Sequence, residues 1–333
     1  MKRSPLLLAA AAATALTLSA CGGGSLSGGS TGEATGDGAA AGEGLTEVSV
    51  GVIPILDTAP IWLGKEQGFF EEAGLDLNIT ETSGGAAAVP GVVSGDFQFA
   101  FGNIISVMVA NDKGLDLEFL ANGISTSGDT SSDVGAVVVP ADSPIQSPAD
   151  LAGKTVSVNN LSNIGDTTIR SVVEEDGGDH ESIRFVEVGF PDAPAALASG
   201  QIDAAWILEP FLTQALDDGA RVVSYNFADM HEGLDVAGYF TTSSYAEENP
   251  EIAEAFTEAM NKSLEYAQEN PDQVRDIVGT YTSIGDEMRA RMVLPAYRSE
   301  FNREAAEALG TAATRYGTLS KEPDLDAMLP SGS

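Results

Sequence analysis

Ser94-Gly95-Asp96-Phe97-Gln98-Phe99-Ala100-Phe101 and Ser199-Gly200-Gln201-Ile202-Asp203-Ala204-Ala205-Trp206 read as one unit used twice, 199 − 94 = 105 residues apart. Each opens on Ser-Gly, a pair that ends a helix and lets the chain turn. Each continues as a short apolar strand with an alanine and an aromatic at matching places. Each follows an Ala/Val/Leu-rich helix with a proline near its start, Pro90 in one and Pro194 in the other. Helix, turn and strand repeated in this way predict two α/β lobes of similar build.

The flanking sequence extends both units. Residues 48–53 are β-rich and end at Pro54, residues 61–72 read as a helix stopped by Gly74, and residues 75–79 alternate apolar and polar as a half-buried strand does. Residues 86–93 then read as a helix and 97–101 as a strand. In the second unit, strands at 155–158, 183–188 and 202–206 alternate with helices at 167–175 and 193–198. This order predicts mostly parallel sheets covered by helices. The apolar run 134–140 reads as a strand leaving the first lobe, and 237–241 as one returning to it. Lobe 1 is therefore expected to comprise residues 45–138 and 236–333, and lobe 2 residues 139–235. The C-terminal part is helical: Asn249 is placed to cap, Pro250 to take the first position, and Ile252, Phe256, Met260 and Leu264 to form one apolar face.

The N-terminus carries different signals. Lys2 and Arg3 precede an apolar stretch, residues 6–18, of signal-peptide length. Leu18-Ser19-Ala20-Cys21 follows and matches a bacterial lipobox, in which the chain is cut before the cysteine and its thiol acylated. Cys21 is the single cysteine of the chain, so it has no disulfide partner within it. The alternative is an ordinary small-residue cleavage site beside a cysteine. The lipobox reading makes residues 1–20 a signal peptide and 21–44, rich in Gly, Ser, Thr and Ala, a flexible tether to the bilayer.

In parallel α/β lobes, ligands meet the loops beyond the carboxyl ends of the strands. That rule selects Asp57, Thr58 and Trp62 after the first strand, Ser83 and Gly84 after the second, and Asn103 after the next. In the second lobe it selects Asn160, Ser162, Asn163 and Thr167, and then Trp206 and Glu209 around the last strand. Each has a structural alternative: turn or cap residues for Asp57, Thr58, Ser83, Ser162, Asn163 and Glu209, packing for the two tryptophans. These loops hold amides, hydroxyls, an aromatic and carboxylates, with no Arg or Lys. The pattern favours a neutral, zwitterionic or cationic ligand.

With 50 Asp and Glu against 16 Lys and Arg, the formal charge is −34, a field that repels nucleic acid and anionic lipid. Catalytic signals are missing from the sequence: the two histidines, His180 and His231, lack metal-ligand spacing, and no nucleophile elbow, P-loop or dinucleotide fingerprint is present. The expectation is a non-catalytic binding protein, monomeric, with neither metal nor cofactor.

Gly68-Phe69-Phe70-Glu71-Glu72-Ala73-Gly74-Leu75, the Ser94-Gly95-Asp96 turn, Ser147-Pro148-Ala149-Asp150-Leu151-Ala152-Gly153-Lys154 and Ala204-Ala205-Trp206-Ile207-Leu208-Glu209-Pro210 occur in this order. Together they resemble the nitrate/sulfonate/taurine and thiamine-precursor (NMT1/THI5-like) group of solute-binding lipoproteins of ABC importers, over residues 46–320. The resemblance implies a type II periplasmic-binding-protein fold, with the ligand in a cleft between two lobes joined by two crossing strands and C-terminal helices packed on the first lobe. It implies a small solute, nitrate- or sulfonate-like or a pyrimidine precursor, handed to an ABC permease driven by a separate ATPase subunit. Pyrimidine-synthesising relatives carry a Cys-rich motif that this chain lacks. A sensory protein that presents its ligand to a receptor, a structural surface lipoprotein, and an enzyme of pyrimidine-precursor synthesis remain the alternatives.

Overall fold

The computed structural model describes residues 44–330. The expected signal peptide, the acylated Cys21 and nearly all of the tether lie outside the described residues. The strands are β1 (Thr46–Val52), β2 (Leu75–Glu81), β3 (Phe99–Asn103), β4 (Leu117–Ser125), β5 (Gly135–Pro140), β6 (Thr155–Val158), β7 (Arg184–Glu187), β8 (Ala204–Leu208), β9 (Ala220–Ser224) and β10 (Asp235–Thr242). They form two five-stranded sheets, ordered β2-β1-β3-β10-β4 and β7-β6-β8-β5-β9. Position by position the two orders are the same topology. The repeat noticed in the sequence is β3 and β8, whose first residues are 204 − 99 = 105 apart.

The sheets are mixed, where the βαβ order alone led to an expectation of mostly parallel ones. β1 pairs with β2 and β3 in parallel, and β6 with β7 and β8. β10 runs antiparallel to both β3 and β4, and β5 antiparallel to both β8 and β9. β5 and β10 are the strands that enter each sheet from the other half of the chain, and they arrive in the reverse direction. Gly135–Pro140 belongs wholly to the second sheet, so the outward crossing lies between Ser125 and Gly135, ahead of the expected 138/139 boundary. The return crossing lies between Ser224 and Asp235.

Alternation in β1 explains its place at the centre of a layered core: Val48, Val50 and Val52 are all 0% exposed. The stretch 61–72 is two helices, Ala59–Glu66 and Phe69–Glu72, because Gly68 between them takes a left-handed φ of 78°. Helix Gly85–Ser94 carries Pro90 midway along, not near its start. Helix Ile104–Asp112 and strand β4 were not anticipated from the sequence.

The long helix Pro250–Glu269 buries Phe256, Met260 and Leu264, and Phe256 stacks on Phe99 of β3 at 4.0 Å between ring centroids. Asn249 makes no side-chain cap to this helix; its Nδ2 donates instead to the Tyr245 carbonyl at 3.0 Å. Helix Arg303–Arg315 packs on both halves, against Ile104–Asp112 and against Ile164–Glu175, and so reaches beyond the first lobe. Among the described residues no helix is long and apolar enough to cross a membrane.

Candidate functional site

A cavity of about 30 Å³ lies between the two sheets. Ile53, Ile55 and Asp57 reach it from the loop after β1, Gly84 and Gly85 from the loop after β2, and Phe101, Gly102 and Asn103 from the end of β3. The opposite wall is Asn159, Ile164, Phe190, Trp206 and Leu208, and Val236 and Ala237 of β10 close the base. These are the carboxyl ends of the parallel strands, where the strand-end rule looks for ligands. A cavity holds a water once it offers about 10–15 Å³, whereas ligand pockets run to about 300–1,000 Å³. The two halves are thus drawn together over a cavity smaller than a ligand pocket.

Two polar groups on this wall are buried without partners. Asp57 is 1% exposed, and its Oδ1 makes no hydrogen bond. Burial pushes its carboxyl up to about 8, with the nearby charges of Asp133 and Glu209 adding to the rise. Trp206 is 2% exposed and its Nε1 likewise has no partner. No Lys, Arg or His lines the cavity.

The loop carrying Asp57 is held rigidly. Thr58 is buried beneath it and donates through Oγ1 to the carbonyls of Ile53 and Ile55, at 2.9 and 3.1 Å. The Tyr281 hydroxyl also donates to the Ile55 carbonyl, at 3.0 Å, and the Tyr297 hydroxyl to that of Leu56, at 3.4 Å. Thr58 therefore serves as scaffold to Asp57.

Contacts across the gap come from the other candidates. Asn103 caps helix Ile104–Asp112, its Oδ1 accepting from the Ser106 backbone N–H at 2.9 Å. Ser106 Oγ in turn accepts from Nδ2 of Asn163 in the second half, at 3.1 Å. Asn163 also caps helix Ile164–Glu175 in a capping box with Asp166. Gly84 sits at φ 151°, and a Cβ there would fall 2.5 Å from Asn160 Oδ1 across the gap. Thr167 meets Thr318 at 3.2 Å, on the flank of the cleft.

Four candidates serve structure away from the cavity wall. Glu209 accepts from Thr213 N–H and Oγ1, at 3.0 and 2.7 Å, and from the Val293 N–H at 3.1 Å; burial raises its carboxyl. Trp62 stacks on Tyr281 at 4.8 Å. Ser162 is exposed in a left-handed turn, φ 51°, with its N–H donating to Asp166. Ser83 is exposed and is not the cap of the following helix, since Gly84 occupies that position. Asn159 and Phe190 were missed, although Phe190 follows β7 as Asp57 follows β1. Among the described residues no group of three or more His, Cys, Asp or Glu is arranged to hold a metal.

Residues 56–274 match the family described as NMT1/THI5 like. The formylaminopyrimidine-binding protein of Halalkalibacterium halodurans is 27% identical over 226 residues, 66% of this chain and 65% of that relative's own length. The alkanesulfonate-binding protein SsuA of Xanthomonas axonopodis pv. citri, solved with MOPS, superposes with a TM-score of 0.73 at 16% identity, covering 87% of this chain and 99% of that one. The periplasmic nitrate-binding protein NrtA of Synechocystis PCC 6803 gives 0.72 at 15% identity, with 86% of each chain covered. The last two establish the shared periplasmic-binding fold.

Proposed function

Since the chain belongs to the NMT1/THI5-like family, we propose that it is the solute-binding component of an ABC importer, capturing a small molecule between two lobes and delivering it to a membrane permease. One observation carries this reading: the cavity draws its walls from both sheets and holds two buried polar atoms without partners, Asp57 Oδ1 and Trp206 Nε1. Buried polar groups are paired in the great majority of cases, and those that are not call for an explanation. A ligand that satisfies both supplies one.

The first sheet with the chain up to Ser125 and from Asp235 onward acts as lobe 1 and residues 135–224 as lobe 2, the crossings between Ser125 and Gly135 and between Ser224 and Asp235 serving as the hinge. The open form holds solute on one lobe; contacts from the other then favour closure. The protein acts as a monomer and performs no chemistry on its solute, a reading supported by relatives that are named as binding proteins. Export by residues 1–20 and acylation at Cys21 keep it on the outer face of the cytoplasmic membrane, near its permease.

Thermal unfolding against a panel of alkanesulfonates, taurine, nitrate, bicarbonate, pyrimidines, amino acids and polyamines tests the reading. A solute at 100 times its Kd adds about 2.7 kcal/mol to stability. A shift that Trp206 or Asn103 substitution abolishes supports capture in this cleft, and a panel without any stabilising compound refutes it.

A further inference from the structure

We infer that the C-terminal segment around helix Arg303–Arg315 is a clasp: the first half holds it at both ends, and it grips Glu174 of the second half, so that the balance between open and closed forms is set from outside the solute cavity. The inference rests on the two-lobe capture reading and is independent of which solute is carried.

Both ends of the segment are fixed to the first half. At the near end Asn302 caps the helix, its Oδ1 accepting from the Ala305 N–H at 3.3 Å. The Asn302 N–H donates to the buried Asp235 of β10, and its Nδ2 to the Gly233 carbonyl at 3.1 Å. Gly233 lies on the return crossing, so the helix starts at the hinge. At the far end Gly317 turns the chain with a φ of 77°. Ser320 then donates its N–H and Oγ to Asp112, the last residue of helix Ile104–Asp112, at 3.0 and 2.7 Å. Between these anchors the helix buries Ala305, Ala306, Leu309, Gly310 and Ala313 and packs against both Ile104–Asp112 and Ile164–Glu175.

The grip on the second half is polar and sits at the end of the helix. Glu174 of helix Ile164–Glu175 accepts from the Tyr316 hydroxyl at 2.7 Å and pairs with Arg315. The Tyr316 ring meets that of His180 edge-on, centroids 4.8 Å apart, and Thr318 meets Thr167. The Tyr316 bond first, and then Arg315, hold the Glu174 carboxyl below its ordinary range. Burial together with the Glu174 bond pushes the Tyr316 hydroxyl up to about 12. Around neutral pH the pair is therefore a carboxylate and a neutral donor, a charge-assisted bond. Among the described residues two ion pairs join the halves, Arg315–Glu174 and Arg291–Asp217, and in both the arginine belongs to the C-terminal part of the chain. Because Asp235 and Asp112 keep the segment with the first half, opening has to break the Glu174 contacts. An exposed ion pair adds little to a fold. Acting on two forms of similar free energy, the same small bias shifts their populations measurably.

Acrylamide quenching of Trp206 in a Trp62→Phe background, without added solute, reads this balance, because Trp206 lines the cavity at 2% exposure. Small-angle scattering gives an independent reading, and unfolding curves confirm that each variant is folded. Glu174→Ala is expected to raise the quenching constant and the radius of gyration as the open fraction grows about threefold or more. Tyr316→Phe should give part of that effect and add nothing to Glu174→Ala. Arg303→Ala breaks ion pairs of the same helix that stay within the first half, to Glu307 and Asp326, and should leave both readings unchanged. Gly84→Ala, which wedges the cleft itself, marks the open form. If Gly84→Ala raises quenching and Glu174→Ala does not, or if Arg303→Ala raises it as much as Glu174→Ala, the clasp is overturned and capture by moving lobes stands. If no variant, Gly84→Ala included, changes either reading, both fall.

Discussion

Ser106 Oγ and Asn163 Nδ2 meet at 3.1 Å across the gap between the two sheets, joining the helices that follow β3 and β6. Both side chains are at most 2% exposed. When the halves part, water replaces this bond; when they close, Asn163 Nδ2 has Ser106 Oγ as its partner, while Ser106 Oγ also donates to Asn103 Oδ1 at 3.2 Å. Ser106→Ala leaves the Asn163 amide unsatisfied in the closed form alone, at a cost of about 1–3 kcal/mol. Solute affinity is expected to fall about tenfold, with a larger radius of gyration by small-angle scattering and little change in the unfolding temperature without solute. An equal loss of stability with and without solute would show that the bond supports the fold and not closure.

Gly84 makes a steric version of the same argument. At φ 151° it adopts a conformation that side chains avoid, and a Cβ would lie 2.5 Å from Asn160 Oδ1. Gly84→Ala should hold the halves apart. The expected outcome is a folded protein with solute affinity reduced at least about tenfold, as the scattering curve of an open form accompanies it. Recovery of affinity in Gly84→Ala combined with Asn160→Ala would tie the effect to that one contact.

Much of this arrangement is legible in the sequence because it depends on local pattern. The Ser-Gly turns and their following strands fixed the repeat as β3 and β8, and the strand-end rule placed Asp57, Gly84, Asn103 and Trp206 on the cavity wall. The misses have physical causes. In strand β4, Leu120 stands between Glu118 and Asn122 on one face and Gly123 interrupts the apolar face, which breaks the alternation that marks a strand, yet its last five residues are all buried. Glu209 and Trp62 looked like ligand contacts because their partners, Val293 and Tyr281, are far away in the chain. Ile53, Ile164 and Leu208 line the cavity but carry no mark that distinguishes them from core.

The two tryptophans separate packing from recognition. Trp62 stacks on Tyr281, whose hydroxyl supports the Asp57 loop. Trp62→Ala is expected to destabilise the protein by about 3 kcal/mol, with the stability loss present whether or not solute is added. Trp206→Phe keeps most of the ring contacts with Phe190 and Phe227 but deletes the unpaired Nε1 donor. It should cost about 1 kcal/mol of stability while weakening solute binding about tenfold. Urea unfolding and calorimetry on both variants check the contrast, and a Trp206→Phe protein with full affinity would remove the indole from the recognition set.

Anchoring is tested independently of the cleft. Cys21→Ser removes the sole cysteine of the chain. If the thiol is acylated, the variant leaves the membrane fraction, loses the mass of its lipid chains and partitions into the aqueous phase of a detergent separation, with solute binding unchanged. An unaltered membrane fraction in Cys21→Ser would point to another mode of attachment.

The buried Asp57 carboxyl predicts a stability that falls as pH rises. In the unfolded chain this group ionises at its ordinary value, 3.8, whereas in the folded protein burial delays ionisation to about 8. Between those limits the unfolded state has released a proton that the folded state still holds, so each pH unit favours unfolding by about 1.4 kcal/mol from this group alone. The effect is absent below 3.8 and complete above about 8, where it reaches on the order of 5 kcal/mol. Asp57→Asn has nothing to ionise and escapes the cost. Its unfolding temperature should match the parent protein near pH 4 and exceed it increasingly up to about pH 8, even as solute binding declines. Such a gain in stability with loss of binding identifies a carboxyl retained for its ligand and not for the fold. Parallel pH profiles for the two proteins would mean instead that Asp57 reaches water or an unrecognised partner in the folded state.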